Sequence, residues 1–415
     1  MATYSRTMAR NNSKILPMIR SLRFQMGLLA TLQALLLTNN VTLVAVNGLA
    51  GYQLASEKWM ATLPVTGYVL GGAVWAMPAA LFMRRFGRAS GYALGSLAAV
   101  LGAVITWYAV TSSNLWLLCF GTFVCGLYNA FAQSYRFAAA DVADAHDPSF
   151  KAKAISLVLT GGIVGGVLGP ELANWSRGAL EQAFAGSYLS LSGFAILSLL
   201  LSSLLRLPES KSPASVADGE IRPLSEILRQ PAVSLAILSA AIGYGVMNLL
   251  MVATPLAMEV CGHSWPSTTM VLEWHVIGMF APGLITGSLI SRFGVMRMLI
   301  AGVALNLIAM VVALMGTSVS HFLVSMALIG VGWNFMYTGG TTLLTQSYRP
   351  VEKNKVQGFM EMCVFCVMVS SSASSGALHF MNGWNVLNMI AIPLVATVLV
   401  YAAWLSWQKA TPKAV

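Results

Sequence analysis

The chain has 415 residues, of which 57% are hydrophobic and only 9% are charged. Soluble domains carry about 25% charged residues, so this composition excludes a soluble globular protein and indicates a polytopic protein embedded in a lipid bilayer. The formal net charge is +10, but the basic residues are spread between apolar stretches along the whole chain. That distribution excludes a nucleic-acid-binding protein, which would gather them on one surface.

Apolar stretches of about 20 residues, each long enough to cross a bilayer as a helix, recur about twelve times. In chain order they are 24–48, 59–82, 89–110, 114–135, 153–175, 187–206, 232–258, 267–290, 296–316, 319–345, 355–380 and 383–407. We number these predicted helices 1 to 12. The sequence therefore predicts an all-α membrane protein.

The basic residues predict the orientation of these helices. If the N-terminus is cytoplasmic, all of the 24 Lys and Arg residues except Lys58 and Arg177 fall on the cytoplasmic side. The positive-inside rule is obeyed in this orientation and inverted in the other. We therefore expect a multi-pass protein with both termini in the cytoplasm. The first apolar run is long and lacks a small-residue cleavage site, so it is interpreted as helix 1, not as a signal peptide.

The longest polar break, 207–231, contains four prolines and mixed charge, as a flexible linker does. The predicted divisions are a basic cytoplasmic tail at 1–23, an N-terminal six-helix bundle at 24–206, the cytoplasmic linker, a C-terminal six-helix bundle at 232–407 and a cytoplasmic tail at 408–415. The tetrapeptide Gln-Ser-Tyr-Arg ends predicted helix 4 at 133–136 and predicted helix 10 at 346–349. This repetition indicates duplication and two pseudo-symmetric halves.

The turns after predicted helices 2 and 8 also repeat, as Arg85-x-Gly87-Arg88 and Arg292-x-Gly294. With these turns the chain resembles the major facilitator superfamily along nearly its full length. The resemblance implies two six-helix bundles, a secondary carrier that works by alternating access, and a monomer. The family's usual Asp before the Arg is Arg84 here and Ser291 in the second copy, so its charge lock is not carried over. No nucleotide loop or nucleophile constellation occurs, so neither an enzyme nor a cofactor is expected.

Two motifs on predicted helices 7 and 8 suggest a metal site. They are Met247-x-x-x-Met251 and His275-x-x-x-Met279, and each occurs once. The i, i+4 spacing places each pair on one helix face, and Met251 and His275 lie at a similar depth, roughly 10–12 Å from the outer helix ends. Thioether sulfur and imidazole are ligands for soft Cu(I). We therefore expect these four side chains to bind copper as transported cargo.

Other soft side chains suggest a path for the ion. Met258 and Cys261 lie toward the outer end of predicted helix 7, and Cys363-x-x-Cys366 lies in predicted helix 11. A relay of metal along these residues is one hypothesis. The alternative is packing, because buried free cysteine commonly acts as a small hydrophobic residue.

The pairing of the two Met and His motifs resembles that of the CcoA-type copper importers, a branch of the superfamily. The stretch 135–141, followed by 161–171, resembles the same branch and also the related riboflavin carriers. The resemblance implies copper uptake across a bacterial inner membrane, supplying cytochrome oxidase assembly, with the four motif residues as metal ligands.

Polar and aromatic residues in the predicted helices support a second hypothesis. Polar groups avoid lipid and should face a central cavity, where with aromatic rings they suit a flat organic solute such as riboflavin. The cavity residues are Asn129, Gln133 and Arg136 on predicted helix 4 and Trp333, Asn334 and Tyr337 on predicted helix 10. Contacts of a cytoplasmic gate are expected from Arg136, Asp141, Arg349 and Glu352.

Copper import is the main prediction, and uptake of riboflavin or another small organic solute is the alternative. Export of a small molecule or drug and a transporter-like sensor are weaker hypotheses. The glycines between 161 and 171 are typical of exporters, but they also let helices approach closely, so they do not indicate a direction of transport.

Overall fold

The structure is a computed structural model that describes residues 21–146, 151–207, 222–349 and 352–410. In its N-terminal half (21–207) the helices are α1 (Leu22–Leu54), a short 3-10 helix (Lys58–Thr62), α2 (Leu63–Phe86), α3 (Arg88–Thr111), α4 (Leu115–Ala132), α5 (Tyr135–His146), α6 (Lys151–Ser176) and α7 (Ala185–Ser203). In its C-terminal half (222–410) they are α8 (Leu224–Leu228), α9 (Pro231–Val260), α10 (Trp265–Phe280), α11 (Gly283–Phe293), α12 (Val295–Met315), α13 (Val319–Thr345) and α14 (Lys353–Ala410).

The described helices account for twelve membrane spans. Ten are long and apolar enough to cross a membrane, and α10 with α11, bent by 42°, forms an eleventh span. Helix α14 would extend about 87 Å at 1.5 Å per residue, far more than a hydrocarbon core of about 30 Å. It is interrupted at Gly383, whose φ is 82°, and so counts as two spans. The predicted all-α fold with about twelve transmembrane helices is confirmed.

The predicted tails and linker lie mostly outside the described residues, which begin at 21, omit 208–221 and end at 410. The predicted division into tails, bundles and linker therefore stays a prediction.

The repeated turns have the same backbone geometry in both halves. Gly87 joins α2 to α3 with φ 85° and ψ 157°, and Gly294 joins α11 to α12 with φ 88° and ψ 151°. A positive φ is unfavourable for residues with a Cβ atom, so glycine lets the chain reverse directly between two long helices. Both turns lie at the end of the bundle where α1 begins and α14 ends, which we call the proximal end; the other is the distal end.

Helices α2 and α4 cross in backbone contact. A Cβ atom on Gly71 would lie 2.1 Å from the carbonyl oxygen of Phe123, and one on Gly126 would lie 2.5 Å from that of Tyr68. Both distances are below any van der Waals contact, so only glycine permits this crossing. The close approach fixes the polar residues of α2 and α4 beside one another.

Helix α6 uses its glycines to join the two halves. A Cβ atom on Gly161 would lie 2.3 Å from the carbonyl oxygen of Ala30 in α1, and one on Gly166 would lie 2.6 Å from the Val276 side chain in α10. One face of α6 therefore packs within the N-terminal half and the other against the C-terminal half, as small residues allow.

The two halves meet closely at the distal end. The Thr66 hydroxyl donates to the Ser372 hydroxyl over 3.3 Å, and the rings of Tyr52 and Phe380 stack at 5.3 Å with an angle of 7° between their planes. Each pair joins a residue of the N-terminal half to one of α14. The space between the halves is therefore closed on the distal side.

A cation–π contact adds to this closure. The Arg177 guanidinium lies 4.9 Å from the Trp265 ring centre and 5.1 Å from that of Phe184. Arg177 and Phe184 flank the α6–α7 turn of the N-terminal half, whereas Trp265 begins α10 of the C-terminal half. Such contacts contribute about 0.5–2 kcal/mol each.

Candidate functional site

Four rings of the C-terminal half form a compact group, which we call the aromatic cluster: Tyr244, Phe280, Trp333 and Tyr337. Trp333 and Tyr337, one turn apart on α13, stack at 5.3 Å with an angle of 7° between their planes. Tyr244 of α9 meets both edge-on, at 5.2 and 5.4 Å, and Phe280 lies 6.3 Å from Trp333. Trp333 is buried, whereas Tyr337 and Tyr244 are half-buried. The cluster therefore includes two partly exposed tyrosine rings that pack against the buried Trp333 ring.

Four polar side chains of the N-terminal half form a hydrogen-bonded chain, which we call the amide network: Asn40, Tyr68, Asn129 and Gln133. The Tyr68 hydroxyl donates to Asn40 Oδ1. Asn40 Nδ2 and Gln133 Nε2 then both donate to Asn129 Oδ1, over 3.3 and 3.0 Å. Gln133 is exposed. Because Asn129 Oδ1 accepts twice, the network holds its amides in fixed orientations.

We call the region between the aromatic cluster of the C-terminal half and the amide network of the N-terminal half the central space. Tyr244 of the C-terminal half and Tyr68 of the N-terminal half lie within electrostatic range of one another. Arg136 of α5 and Glu361 of α14 both act electrostatically on Tyr244 and on Tyr337. Aromatic, amide, cationic and anionic groups therefore come near one another around this central space.

The sequence-based site missed Tyr68, Tyr244 and Glu361. Glu361 could have been found, because it is the only acidic residue in predicted helix 11 (355–380), and an ionisable residue inside a membrane helix indicates function. The two tyrosines gave no such signal, since their importance comes from contacts between distant helices.

The structure places the four predicted copper ligands in the interior of the C-terminal half. Met247, Met251 and Met279 belong to its hydrophobic core and are at most 8% exposed. His275 is fully buried, and its Nδ1–H donates to the carbonyl oxygen of Met326 in α13 over 2.8 Å. Helix α10 packs chiefly against α13 and α6 and touches α9 only weakly. The Nδ1 atom of the imidazole is therefore already engaged by the backbone of α13.

The predicted relay residues are scattered in exposure. Met258 is fully buried, Cys363 is half-buried, and Cys261 and Cys366 are exposed. Within the described residues, no three His, Cys, Asp or Glu side chains come together as a metal site would require. The relay hypothesis gains no support from this arrangement.

Asn334 has a different environment from the other predicted cavity residues. Its Nδ2 donates to the carbonyl oxygen of Met279 over 2.7 Å, and its Oδ1 accepts from the Thr286 hydroxyl over 2.7 Å. These partners lie on either side of the break at 281–282 between α10 and α11. Both ends of the Asn334 amide are therefore engaged in holding the bent span together.

The predicted gate residues pair within each half. Asp141 Oδ2 lies 2.9 Å from Arg88 Nη2, both in the N-terminal half. Arg349 donates its backbone N–H to Glu352 Oε2 over 2.9 Å, within the C-terminal half. Arg136 alone reaches electrostatically toward the opposite half. A gating role for these residues stays a prediction.

Glu352, in the loop between α13 and α14, binds Arg222 at the C-terminal end of the linker. Its carboxylate is fully buried and accepts from Arg222 Nε over 2.7 Å and from Nη2 over 2.8 Å. Hydrogen bonding to Arg222 lowers the pKa of Glu352 from its ordinary 4.5 to about 2. A lowered carboxyl pKa stabilises the folded state above pH 4.5, and that contribution is lost as pH falls toward 2.

We expect Glu352→Gln to lower the melting temperature of the detergent-solubilised protein by a few degrees at pH 7, because the neutral amide loses the charge-assisted pairing with Arg222. The deficit should shrink as the pH falls from 5 toward 2, because the carboxyl of the unfolded parent is protonated below its ordinary pKa of 4.5 whereas the folded carboxylate stays ionised until about pH 2. Thermal unfolding across this pH range measures it, with the exposed Glu259→Gln as control. A deficit that is constant with pH would contradict the assignment.

Comparisons with known proteins agree on the family. The family model described as Major Facilitator Superfamily matches residues 26–281 and 270–415. The riboflavin transporter RfnT of Brucella anthropi is 37% identical over 374 residues, which cover 90% of this chain and 93% of that protein. Two uncharacterized MFS-type transporters of Bacillus subtilis, YddS and YdeG, are each 26% identical and cover 87% and 85% of this chain and 86% of their own lengths.

Among solved structures, a crystal structure of a mutant of the nucleoside transporter NupG matches with a TM-score of 0.72. It covers 92% of this chain and 99% of its own, at 14% sequence identity. At this identity the likeness shows a shared fold only.

The prediction of copper as cargo and partner is wrong. The relative that covers 90% of the chain at 37% identity is a riboflavin transporter, as the alternative hypothesis expected. Methionine is a common gap-filler of apolar cores, and three of the four motif residues pack in such a core. The two halves, their membrane helices and the family match together show that the chain belongs to the Major Facilitator Superfamily.

Proposed function

We propose that this protein imports riboflavin, or a flat organic solute closely similar to it, across a bacterial inner membrane. The observation that carries the proposal is the 37% identity to a riboflavin transporter over 90% of the chain. The aromatic cluster supports it, because half-buried Tyr337 and Tyr244 on a stacked base suit a planar ring system.

The two walls of the central space suit the two parts of this solute. Riboflavin joins a planar tricyclic ring to a chain of hydroxyl groups. The aromatic cluster would hold the ring by stacking, and the amide network would donate to and accept from the hydroxyls. No cofactor is required, since carriers of this family bind and release their cargo unchanged.

Under alternating access, the closed distal contacts correspond to one state of the transport cycle. The basic residues favour a cytoplasmic proximal end, and closure by Thr66, Ser372, Tyr52 and Phe380 is distal. The structure would then be the state that faces the cytoplasm. Opening of the distal contacts would expose the same site to the outside.

Uptake in cells tests the proposal. The gene is expressed in a bacterium that neither synthesises riboflavin nor carries its own riboflavin transporter. We expect growth on low external riboflavin and saturable uptake of radiolabelled riboflavin, both absent with an empty vector. A membrane-inserted protein that supports neither would overturn the proposed function.

A further inference from the structure

Glu361 is a half-buried carboxyl with unused hydrogen-bonding capacity. It lies in an apolar stretch of α14 and accepts one hydrogen bond, from the Tyr337 hydroxyl to Oε1 over 3.3 Å. Between described residues, no basic side chain lies within 4.0 Å of it. An ionised carboxylate accepts about four hydrogen bonds, so Glu361 can accept more than the one from Tyr337. A ligand that donates an N–H therefore has an acceptor here.

Arg136 offers the complementary groups from the opposite half. It is half-buried at the start of α5, and its guanidinium lies 4.9 Å from the centre of the Phe137 ring. No carboxylate among the described residues lies within 4.0 Å of it. The guanidinium has five N–H donors and no acceptor. It therefore suits carbonyl oxygens on a ligand.

The two charged groups border the same rings. Glu361 accepts from the Tyr337 hydroxyl over 3.3 Å, and Arg136 lies near enough to act electrostatically on Tyr244 and Tyr337. The two charged groups do not approach one another within the 4.0 Å of an ion pair. Exposed Gln133 directly follows α4, three residues before Arg136 of α5, and adds an amide near it. A planar ring that lies against Tyr337 would therefore have a carboxylate from one half and N–H donors from the other near it.

We propose that Glu361 and Arg136 form a subsite that recognises an imide edge of the transported ring by hydrogen bonds. Such an edge has one N–H between two carbonyl oxygens. Glu361 accepts from the N–H, and Arg136 donates to a flanking carbonyl oxygen. This inference rests on the proposed function, because the ring of riboflavin carries an imide edge of this kind. It adds that the edge, as well as stacking, determines which flat rings are accepted.

Discrimination between two flavins tests the subsite. Unlabelled riboflavin and riboflavin methylated at its imide nitrogen compete against uptake of radiolabelled riboflavin, and the ratio of their inhibitory concentrations is measured. In the parent protein we expect the methylated compound to compete about 10- to 150-fold less well, since it lacks the N–H that a charged group accepts. In Glu361→Ala the ratio should fall close to 1. The exposed Glu259→Ala should keep the parent ratio.

The ratio separates recognition from other roles. A residue needed only for folding or for closing the proximal gate would lower uptake of both flavins and leave the ratio unchanged. If Glu361→Ala shows no uptake, the ratio is read in Glu361→Gln, where loss of the charge should lower it severalfold. Riboflavin uptake with no discrimination by the parent, or with a ratio that these variants leave unchanged, overturns the subsite alone. No riboflavin uptake by the parent overturns the proposed function and the subsite together.

Discussion

Tyr337→Ala is expected to weaken riboflavin binding by about 5- to 150-fold, because stacking of a planar ring on an aromatic side chain contributes about 1–3 kcal/mol and about 1.4 kcal/mol corresponds to tenfold. Tyr337 is the half-buried member of the stacked pair, so its ring is the one that a ligand can reach. Binding of labelled riboflavin to the purified protein in detergent measures the effect.

Two variants separate stacking from other consequences of this change. Tyr337→Phe keeps the ring and loses only the hydroxyl that donates to Glu361 over 3.3 Å, so its affinity should fall by less than about tenfold, as for one hydrogen bond. Tyr108→Ala removes a tyrosine that is 57% exposed on α3 and should bind as the parent does. Equal affinities of Tyr337→Ala and Tyr108→Ala would contradict a site at the aromatic cluster.

A disulfide across the distal contact is expected to abolish transport. The hydroxyl oxygens of Thr66 and Ser372 are 3.3 Å apart, so cysteines at both positions need only a small shift to reach the S–S distance of about 2.05 Å. The bond would hold the distal side closed and prevent entry of the solute, since a carrier must open each side in turn. Uptake should fall to the empty-vector level on oxidation and recover on reduction.

This experiment has a matched control within one half. Ser96 and Ser198 hydrogen-bond over 3.0 Å inside the N-terminal half, so a cysteine pair there should form a disulfide and leave uptake intact. Both pairs are built in a chain whose native cysteines are replaced by serine. Those cysteines are Cys119, Cys125, Cys261, Cys363 and Cys366. Full uptake by a completely cross-linked 66–372 variant would contradict closure at this contact.

Much of the fold could be predicted because each span carries its own signal of length and apolarity. The structure differs from the prediction where a helix is interrupted over only two residues, because such a break is too short to appear in a hydropathy window. Predicted helix 8 (267–290) is bent by 42° at 281–282, where Pro282 lacks an N–H donor. The break at 133–134 leaves α4 and α5 as separate helices, although both belong to one apolar span from Leu115 to Ala143.

The site could be predicted only in part, because helical periodicity relates residues of one helix and not residues of two. Asn129 and Gln133 were expected on one face, and they hydrogen-bond over 3.0 Å. His275 and Met279 were likewise expected on one face, but the spacing did not indicate that His275 would bond to α13. Arg136 acts electrostatically on Tyr337 of the opposite half. This proximity depends on how the two halves pack, which helical periodicity does not indicate.

Counterflow in proteoliposomes is the most direct test of riboflavin transport by this protein, because exchange of labelled for unlabelled solute needs no driving ion. Purified protein is reconstituted into liposomes that are loaded with unlabelled riboflavin, and labelled riboflavin is added outside. We expect rapid, saturable entry of label that excess external riboflavin suppresses and that Tyr337→Ala reduces. Entry no greater than in protein-free liposomes, with correctly inserted protein, would contradict it.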